Sequence, residues 1–328
     1  MNFSASLRLC GEFDSKNAKA LTFKARYLVM STAPNAPFGP LLTAMVTPFH
    51  PDLTIDFERA EQLATYLLER GSSGLIVSGT TGESPTLTPE EKLELFRRVK
   101  AIAGDAPVIA NTGDNETAFS IELSKQAAQT GVDGMLLVVP YYNKPSQEGL
   151  YRHFKIIAES VDLPVLLYNV PSRCARNMTA ATHARLSQIP NIIGTKEASG
   201  DLIQIGHIRA QTPEDFAIYS GDDAAMLPMM PLGACGCISV ISHIAGPQYR
   251  AMMEAFWQGD MKTARDLHLR LLPVIEALFP ANGASPAPVK AALKLQGFDC
   301  GDLRLPLVES DQEEIEGLKA VMETAGLL

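Results

Sequence analysis

Gly74-Leu75-Ile76-Val77-Ser78-Gly79 is a short apolar run that ends in glycine. Its nearly continuous hydrophobicity, without strict alternation, is typical of a strand that is covered on both faces of a parallel sheet. The turn Gly79-Thr80-Thr81-Gly82-Glu83 follows, and an amphipathic helix is predicted from Pro89 to Ala103. Thr88-Pro89-Glu90-Glu91 starts that helix with an N-cap, a proline at the first position and a capping-box glutamate. The predicted order is therefore strand, turn and helix.

The same unit recurs along the chain. Seven further short apolar runs lie at Leu41 to Phe49, Pro107 to Gly113, Gly134 to Pro140, Pro164 to Pro171, Ile192 to Ser199, Ala217 to Asp223 and Gly236 to Ser242. Amphipathic stretches separate several of them, at Asp56 to Arg70, Glu116 to Thr130 and Gln147 to Ser160. Eight such units over about 220 residues predict an α/β fold, a (β/α)8 TIM barrel with right-handed parallel crossovers. A doubly wound open sheet is the alternative; a nucleotide-binding version would need a glycine-rich phosphate loop, which the sequence lacks.

The chain divides into three predicted regions. Residues 37–259 form the barrel, and residues 260–328 form a C-terminal helical appendage. Its helices are predicted at Met261 to Phe279, Pro288 to Gln296 and Glu309 to Ala325, with a loop from Pro280 to Pro288. Residues 1–36 are an N-terminal extension that does not continue the pattern and lacks the apolar core of a secretory signal. We interpret it as an over-long gene model whose true start is Met30, with an organelle transit segment as the alternative.

Composition and charge narrow the class of protein. A hydrophobic fraction of 46% and a charged fraction of 20% are those of an ordinary globular protein. The formal net charge of -9, with no long basic run, argues against nucleic acid or an anionic membrane as partner. Five scattered cysteines predict reduced thiols in a cytoplasmic protein. Neither Cys235-Gly236-Cys237 nor the six histidines show metal-ligand spacing, so no metal is expected.

Lys196 is the sharpest chemical feature of the sequence. It lies inside Ile192-Ile193-Gly194-Thr195-Lys196-Glu197-Ala198, a strand that should be buried. Alternation places Glu197 on the opposite face, so this carboxylate does not neutralise the amine. Because burying an unpaired ammonium is costly, burial favours the neutral amine, which can attack a ketone and form an imine. The alternative is a lysine that snorkels from the strand end to solvent.

Further polar side chains follow neighbouring strands, at the face where barrel enzymes keep their sites. Thr80 and Thr81 in the glycine turn can bind a carboxylate through neutral donors. Tyr168 ends the fifth strand, where its phenol can pass protons, and Arg173 just beyond can clamp a carboxylate in bidentate fashion. Taken alone, the glycine turn also fits an ordinary turn, Tyr168 a core aromatic residue and Arg173 a surface charge. Together with Lys196 they favour an amine-based aldol site.

The motifs resemble the dihydrodipicolinate synthase and N-acetylneuraminate lyase superfamily, most closely its dihydrodipicolinate synthase family. The resemblance extends from about Pro40 to Leu328. It is carried by G-T-T-G-E at Gly79, by P-Y-Y-N at Pro140 with the following Pro145 to Tyr151, by Y-N-V-P-S-R at Tyr168, by G-T-K-E-A at Gly194, and by S-G-D-D at Ser220. The resemblance implies condensation of pyruvate with aspartate semialdehyde, in diaminopimelate and lysine biosynthesis. It also implies a homotetramer of tight dimers that needs no metal or organic cofactor.

Individual roles follow from the resemblance by position. Lys196 would form the imine with pyruvate. A proton relay would consist of Thr80, Tyr168 and Tyr142, the last acting in a neighbouring subunit's site. Substrate contacts would come from Thr81 to the pyruvate carboxylate, from Arg173 to the carboxylate of the aldehyde, and from backbone groups of Gly221 and Ile238 near the nucleophile.

The family's lysine-sensing pocket is altered in this sequence. Ser84, Asn115 and Tyr141 match the sensitive members. Pro89 and Lys92 stand in place of histidines, and Phe119 stands in place of a glutamate. Losing a carboxylate and adding a cation disfavours a cationic ligand. We therefore predict weak or absent inhibition by lysine.

Two rival functions remain open at this point. The first is another pyruvate aldolase of the superfamily, which acts on sialic acid or on 2-keto-3-deoxy sugar acids. Arg173 is not expected in such an enzyme. The second is a barrel that binds or regulates without catalysis, because a fold alone implies no activity. The presence of Lys196, Tyr168 and Arg173 together argues against it.

Overall fold

The computed structural model describes residues 35–280 and 285–328, and its eight strands form one closed parallel barrel. Each strand pairs with the next, and the eighth pairs with the first, so the predicted (β/α)8 barrel is confirmed. The strands are β1 (Leu41–Ala44), β2 (Gly74–Val77), β3 (Val108–Asn111), β4 (Gly134–Val138), β5 (Val165–Asn169), β6 (Ile192–Glu197), β7 (Ala217–Ser220) and β8 (Gly236–Ser239). Most strand residues are buried, as the continuous apolar runs predicted.

Helices follow the strands around the outside of the barrel. They are α1 (Phe57–Glu69), α2 (Pro89–Ala103), α3 (Thr117–Ala128), α4 (Gln147–Ala158), α5 (Pro171–Cys174), α6 (Ala180–Leu186), α7 (Leu202–Gln211), α8 (Met226–Met229) and α9 (Ser242–Trp257). The predicted capping box of α2 is present. Thr88 Oγ1 accepts from the Glu91 amide at 3.2 Å, and Glu91 Oε2 accepts from the Thr88 amide at 2.9 Å.

The C-terminal helices are also present, as α10 (Met261–Ala277), α11 (Ala287–Leu295) and α12 (Gln312–Thr324). The last helix begins later than the predicted Glu309, because the side chain of Asp311 caps it by accepting from the Glu314 amide at 2.8 Å. The proposed start at Met30, Cys10, residues 281–284 of the predicted loop and residues 1–34 of the N-terminal extension lie outside the described residues. None of the helices within 35–280 and 285–328 is both long and apolar enough to cross a membrane.

The pairing of β5 with β6 contains an irregularity that the sequence pattern did not predict. Val165 pairs with Ile192, but Leu166 pairs with Gly194, so Ile193 is an extra residue in β6. A bulge of this kind changes the direction of the side chains that follow it. The register after the bulge places Lys196 beside Tyr168 on one side and beside Tyr219 on the other. The bulge therefore contributes to the placement of the predicted nucleophile.

A buried histidine ties the first βα loop to the last one. His243 Nε2 accepts a hydrogen bond from the Val46 amide at 3.2 Å, so its Nδ1 carries the proton and donates to the Val240 carbonyl at 2.8 Å. Burial lowers the pKa of His243 to about 4. The imidazole is therefore neutral at physiological pH, and protonating it would break the contact with Val46.

Candidate active site

A cavity of about 340 Å³ opens at the carboxyl-terminal end of the barrel. It brings together most of the predicted site residues, namely Thr80, Thr81, Tyr168, Arg173, Lys196 and Gly221. They come from the loop after β2, the end of β5, α5, β6 and the loop after β7. The apolar strands build the barrel, and the polar residues that follow them meet at one rim.

Lys196 lies at the inner wall of this cavity with only 6% of its surface exposed. Its Nζ is 4.3 Å from the centroid of the Tyr168 ring. Within the part of the chain that the structure describes, no carboxylate oxygen lies within 4.0 Å of this nitrogen, which therefore has no ion-pair partner. A buried amine without a counter-ion, facing a cavity, is poised to react with a carbonyl ligand.

Glu197, the neighbour of Lys196, points to the other face of β6. Its carboxylate accepts from Asn169 Nδ2 at 3.0 Å and from the Ser199 amide at 2.8 Å. Burial raises the pKa of Glu197, and these hydrogen bonds oppose that rise. The alternation predicted for this strand therefore separates the acid from the amine.

Gly221 lies against the Lys196 side chain. A Cβ at this position would lie 2.9 Å from Lys196 Cγ and 3.0 Å from Lys196 Cε, closer than carbon atoms normally pack. The Gly221 amide donates to the Glu197 carbonyl at 2.8 Å, which anchors the loop after β7 to β6. Only glycine leaves the lysine stem in its observed place.

The glycine turn after β2 presents Thr80 and the buried Thr81 to the cavity. The turn is closed by two backbone bonds, from the Glu83 amide to the Thr80 carbonyl at 3.1 Å and from the Ser84 amide to the Gly79 carbonyl at 3.2 Å. The Thr47 hydroxyl also donates to the Gly82 carbonyl at 2.7 Å. The two threonine hydroxyls are therefore carried by a firmly held loop.

Arg173 stands at the solvent side of the cavity on the short helix α5. Its side chain is exposed, and no described carboxylate lies within 4.0 Å of it. The guanidinium is therefore available to a ligand carboxylate, for which its fork of donors is well suited.

Two of the predicted site residues are not brought to this cavity by the chain itself. Tyr142 is 88% exposed, adopts a left-handed backbone with φ of 70°, and is absent from the cavity lining. Ile238 is buried within β8, paired with Leu42, and its side chain is not part of the lining. Val240, two residues further on, lines the cavity instead.

Several lining residues were not predicted. Ile275 and Glu276 belong to α10, and Phe279 follows that helix, so the C-terminal appendage forms part of the wall. Their position depends on how a distant helix packs over the barrel, for which the sequence carries no local signal. Asp222 also lines the cavity and lies in the S-G-D-D motif, so the motif offered a signal for this residue.

A second cavity of about 220 Å³ adjoins the first and shares Thr80, Val170 and Arg173 with it. Ser84, Lys92 and Tyr141 line it, so three of the residues named for the lysine-sensing pocket meet here. Burial lowers the pKa of Lys92, and the nearby Asp114 opposes that shift. Asp114 also accepts from the Tyr141 hydroxyl at 3.0 Å.

The other named positions lie around this second cavity. Asn115 donates to the Tyr141 carbonyl at 3.3 Å, Pro89 is the first residue of α2, and Phe119 lies on α3. None of these three lines the cavity.

The cysteines of the described chain are buried, and one of them, Cys174, lines the second cavity. Cys174, Cys235, Cys237 and Cys300 are free thiols and are buried, while Cys10 lies outside the described residues. Within 35–280 and 285–328, no three histidine, cysteine, aspartate or glutamate side chains are grouped as a metal site.

Comparison with known proteins gives consistent results over almost the whole described chain. The sequence model of the Dihydrodipicolinate synthetase family matches residues 37–325. The 4-hydroxy-tetrahydrodipicolinate synthase of Moorella thermoacetica is 55% identical over 292 residues, covering 89% of this chain and 99% of that protein. A crystal structure of dihydrodipicolinate synthase from Cyanidioschyzon merolae with lysine bound has a TM-score of 0.87 and 47% identity, covering 89% of this chain and 99% of that one.

A second solved structure agrees with the first. The dihydrodipicolinate synthase of Bacillus anthracis superimposes with a TM-score of 0.85 at 49% identity, covering 87% of this chain and 98% of that one. Each of these three relatives is matched over at least 87% of this chain and 98% of its own length. The chain belongs to the dihydrodipicolinate synthetase family.

Proposed function

We propose that the protein is a lyase that condenses pyruvate with L-aspartate 4-semialdehyde to 4-hydroxy-tetrahydrodipicolinate, in diaminopimelate and lysine biosynthesis. The observation that carries this proposal is Lys196, an amine that is buried without a counter-ion and faces the cavity. The names of the relatives from Moorella thermoacetica and other bacteria support the same activity.

The reaction begins with attack of Lys196 Nζ on the carbonyl carbon of pyruvate. Loss of one water molecule gives the imine, and loss of a methyl proton gives the enamine. The enamine carbon then attacks the aldehyde carbon of aspartate semialdehyde, whose oxygen takes up a proton. The substrate's own amine finally displaces Lys196 from the imine carbon, which closes the ring and frees the enzyme. The imine serves as the electron sink, so the chemistry calls for no metal or organic cofactor.

The surrounding residues take the remaining roles in this proposal. Tyr168 lies close to the amine, with its ring centroid 4.3 Å from Nζ, and passes protons together with Thr80. Thr81 holds the pyruvate carboxylate, and Arg173 holds the carboxylate of the aldehyde. Gly221 and Ile238 contribute backbone groups near the nucleophile.

We also propose that Tyr142 completes the relay in a neighbouring subunit, within a cytoplasmic homotetramer built from tight dimers. The exposed position of Tyr142, outside its own cavity, is what such a role requires. Coexpressing Lys196→Ala with Tyr142→Phe tests the exchange. Hybrid assemblies should recover activity that each variant lacks alone, and inactive hybrids would contradict it.

A comparison of substrates tests the proposed reaction against the two rival functions. The purified protein should consume pyruvate when aspartate semialdehyde is added, and it should not cleave sialic acid or 2-keto-3-deoxy sugar acids. Efficient cleavage of a sugar acid would favour the first rival. No reaction with any of these compounds, together with no covalent pyruvate after borohydride reduction, would favour a non-catalytic barrel.

A further inference from the structure

Glu83 is the last residue of the glycine turn after β2, but its side chain does not line the cavity. The residue adopts a left-handed backbone with φ of 58°, which is uncommon for a residue other than glycine. Its side chain is completely buried and forms an ion pair with Lys290 on α11, with Nζ 2.9 Å from Oε1. The other carboxylate oxygen accepts from the Arg304 amide at 3.1 Å. These contacts hold Glu83 in its strained backbone conformation, so the surrounding structure specifies that conformation.

Lys290 has three partners around its buried ammonium. Only 4% of its side chain is exposed. Besides Glu83, it donates to the Asp302 carbonyl at 2.6 Å and lies 4.5 Å above the centroid of the Phe49 ring. A buried ion pair loses much of its attraction to the cost of desolvating both charges, so stability alone is a weak reason for its presence.

The ion pair joins the C-terminal appendage to the turn that carries Thr80 and Thr81. The Glu83 amide donates to the Thr80 carbonyl at 3.1 Å, so the anchored residue is part of the same turn. Arg304 reinforces the connection through two bonds to the Glu91 carboxylate, at 2.6 and 2.8 Å. Movement of Lys290 would therefore be transmitted to the threonine turn over a short path, which consists of the ion pair to Glu83 and the backbone hydrogen bond from Glu83 to Thr80.

On the basis of the proposed function, we infer that Lys290 is a positioning residue for catalysis. Through Glu83 it holds the Thr80 and Thr81 hydroxyls in register with Lys196, at the pyruvate end of the cavity. Arg173, which stands on α5 at the solvent side, is not connected to this ion pair. Loss of the pair should therefore affect pyruvate and spare the aldehyde.

Lys290→Met tests this inference, with Lys294→Met as the matched control. Lys294 lies one turn further along α11 and pairs with Asp299 at 3.0 Å, but its side chain is 68% exposed. We expect Lys290→Met to raise the KM for pyruvate at least tenfold and to slow formation of the borohydride-trapped adduct equally. The KM for the aldehyde should stay within twofold of wild type, and Lys294→Met should match wild type throughout. Circular dichroism melting establishes that each variant is folded.

Glu83→Gln provides a second variant in case the first does not fold. It has nearly the same shape as glutamate but removes the charge that pairs with Lys290, so it should show the same selective rise in the KM for pyruvate. A folded variant with wild-type pyruvate kinetics would overturn the inference, and so would equal rises in the KM values of both substrates, because a general loosening would produce them. A wild-type protein that forms no adduct with pyruvate would refute the proposed function instead.

Discussion

Replacing Gly221 with alanine should displace the nucleophile without unfolding the barrel. The new Cβ would lie 2.9 Å from Lys196 Cγ, 2.9 Å from Ala198 Cβ and 3.0 Å from Lys196 Cε. Carbon atoms pack at about 3.5–4.0 Å, so the lysine stem would have to move by roughly 0.5–1 Å. The backbone of Gly221 is outside the left-handed region, so alanine adds crowding but no backbone strain of its own.

The expected loss follows from that displacement. A misplacement of about 1 Å costs on the order of 100-fold in rate, which corresponds to about 2.7 kcal/mol of activation free energy. Overpacking of the loop should lower the free energy of unfolding by about 1–3 kcal/mol. The variant should therefore remain folded at 25 °C and react with pyruvate about 100-fold more slowly.

The assay is the rate of borohydride-trapped adduct formation, followed by mass spectrometry of the intact protein. Gly206→Ala is the matched control, because Gly206 lies within α7 and a Cβ there would meet nothing within 4 Å. The control should react at the wild-type rate and gain up to about 1 kcal/mol of stability from helix propensity. A folded Gly221→Ala protein with a rate within twofold of wild type would refute the crowding argument.

Three further predictions concern stability, substrate recognition and regulation. His243 has a pKa of about 4 when folded, below its ordinary value of 6.5, so the stabilisation that it provides is complete above pH 6.5 and is lost as the pH falls toward 4. At pH 5, protonation of His243 should lower the free energy of unfolding by about 2 kcal/mol. In urea unfolding, the stability of His243→Gln should therefore depend less on pH than that of the wild type. An unchanged pH dependence would contradict the role given to His243. Lys196→Ala should abolish the pyruvate adduct. Arg173→Ala should keep the adduct but lower kcat/KM for the aldehyde by 10²-fold or more, on the order of 3 kcal/mol for a lost bidentate charge contact. If Arg173→Ala lowered adduct formation and use of the aldehyde equally, the two substrates would not have separate subsites. Initial rates in the presence of lysine should show weak or no inhibition, because Lys92 places a cation in the second cavity, and a half-inhibiting concentration well below millimolar would refute this.

The repeating strands and the capped helix α2 were predictable because their signals are local. Apolar runs and caps act over a few residues, so the barrel and its C-terminal helices could be anticipated from the sequence. The opposite directions of Lys196 and Glu197 also followed from strand alternation. The bulge at Ile193 did not, because it exists only in the pairing of β6 with β5.

The parts of the site that escaped prediction depend on long-range packing. Glu276 and Phe279 reach the cavity because α10 lies across the barrel mouth, and nothing in their local sequence indicates this. Glu83 belongs to a turn predicted to face a ligand, but its carboxylate pairs with Lys290, far along the chain. Tyr142 does not line the cavity of its own chain, and its proposed role depends on the cavity of a neighbouring subunit, which no local pattern in the sequence describes.

We expect Lys196 alone to form the covalent bond with pyruvate. Among the described residues, Lys92 and Lys290 are the other buried lysines, which makes the position of the adduct decisive. Peptide mass spectrometry after incubation with pyruvate and reduction with borohydride measures it directly. The modified peptide should be the one that contains Lys196, and the other two lysines should be unmodified. A protein without an adduct, or one modified at Lys92 or Lys290 instead, would contradict the account.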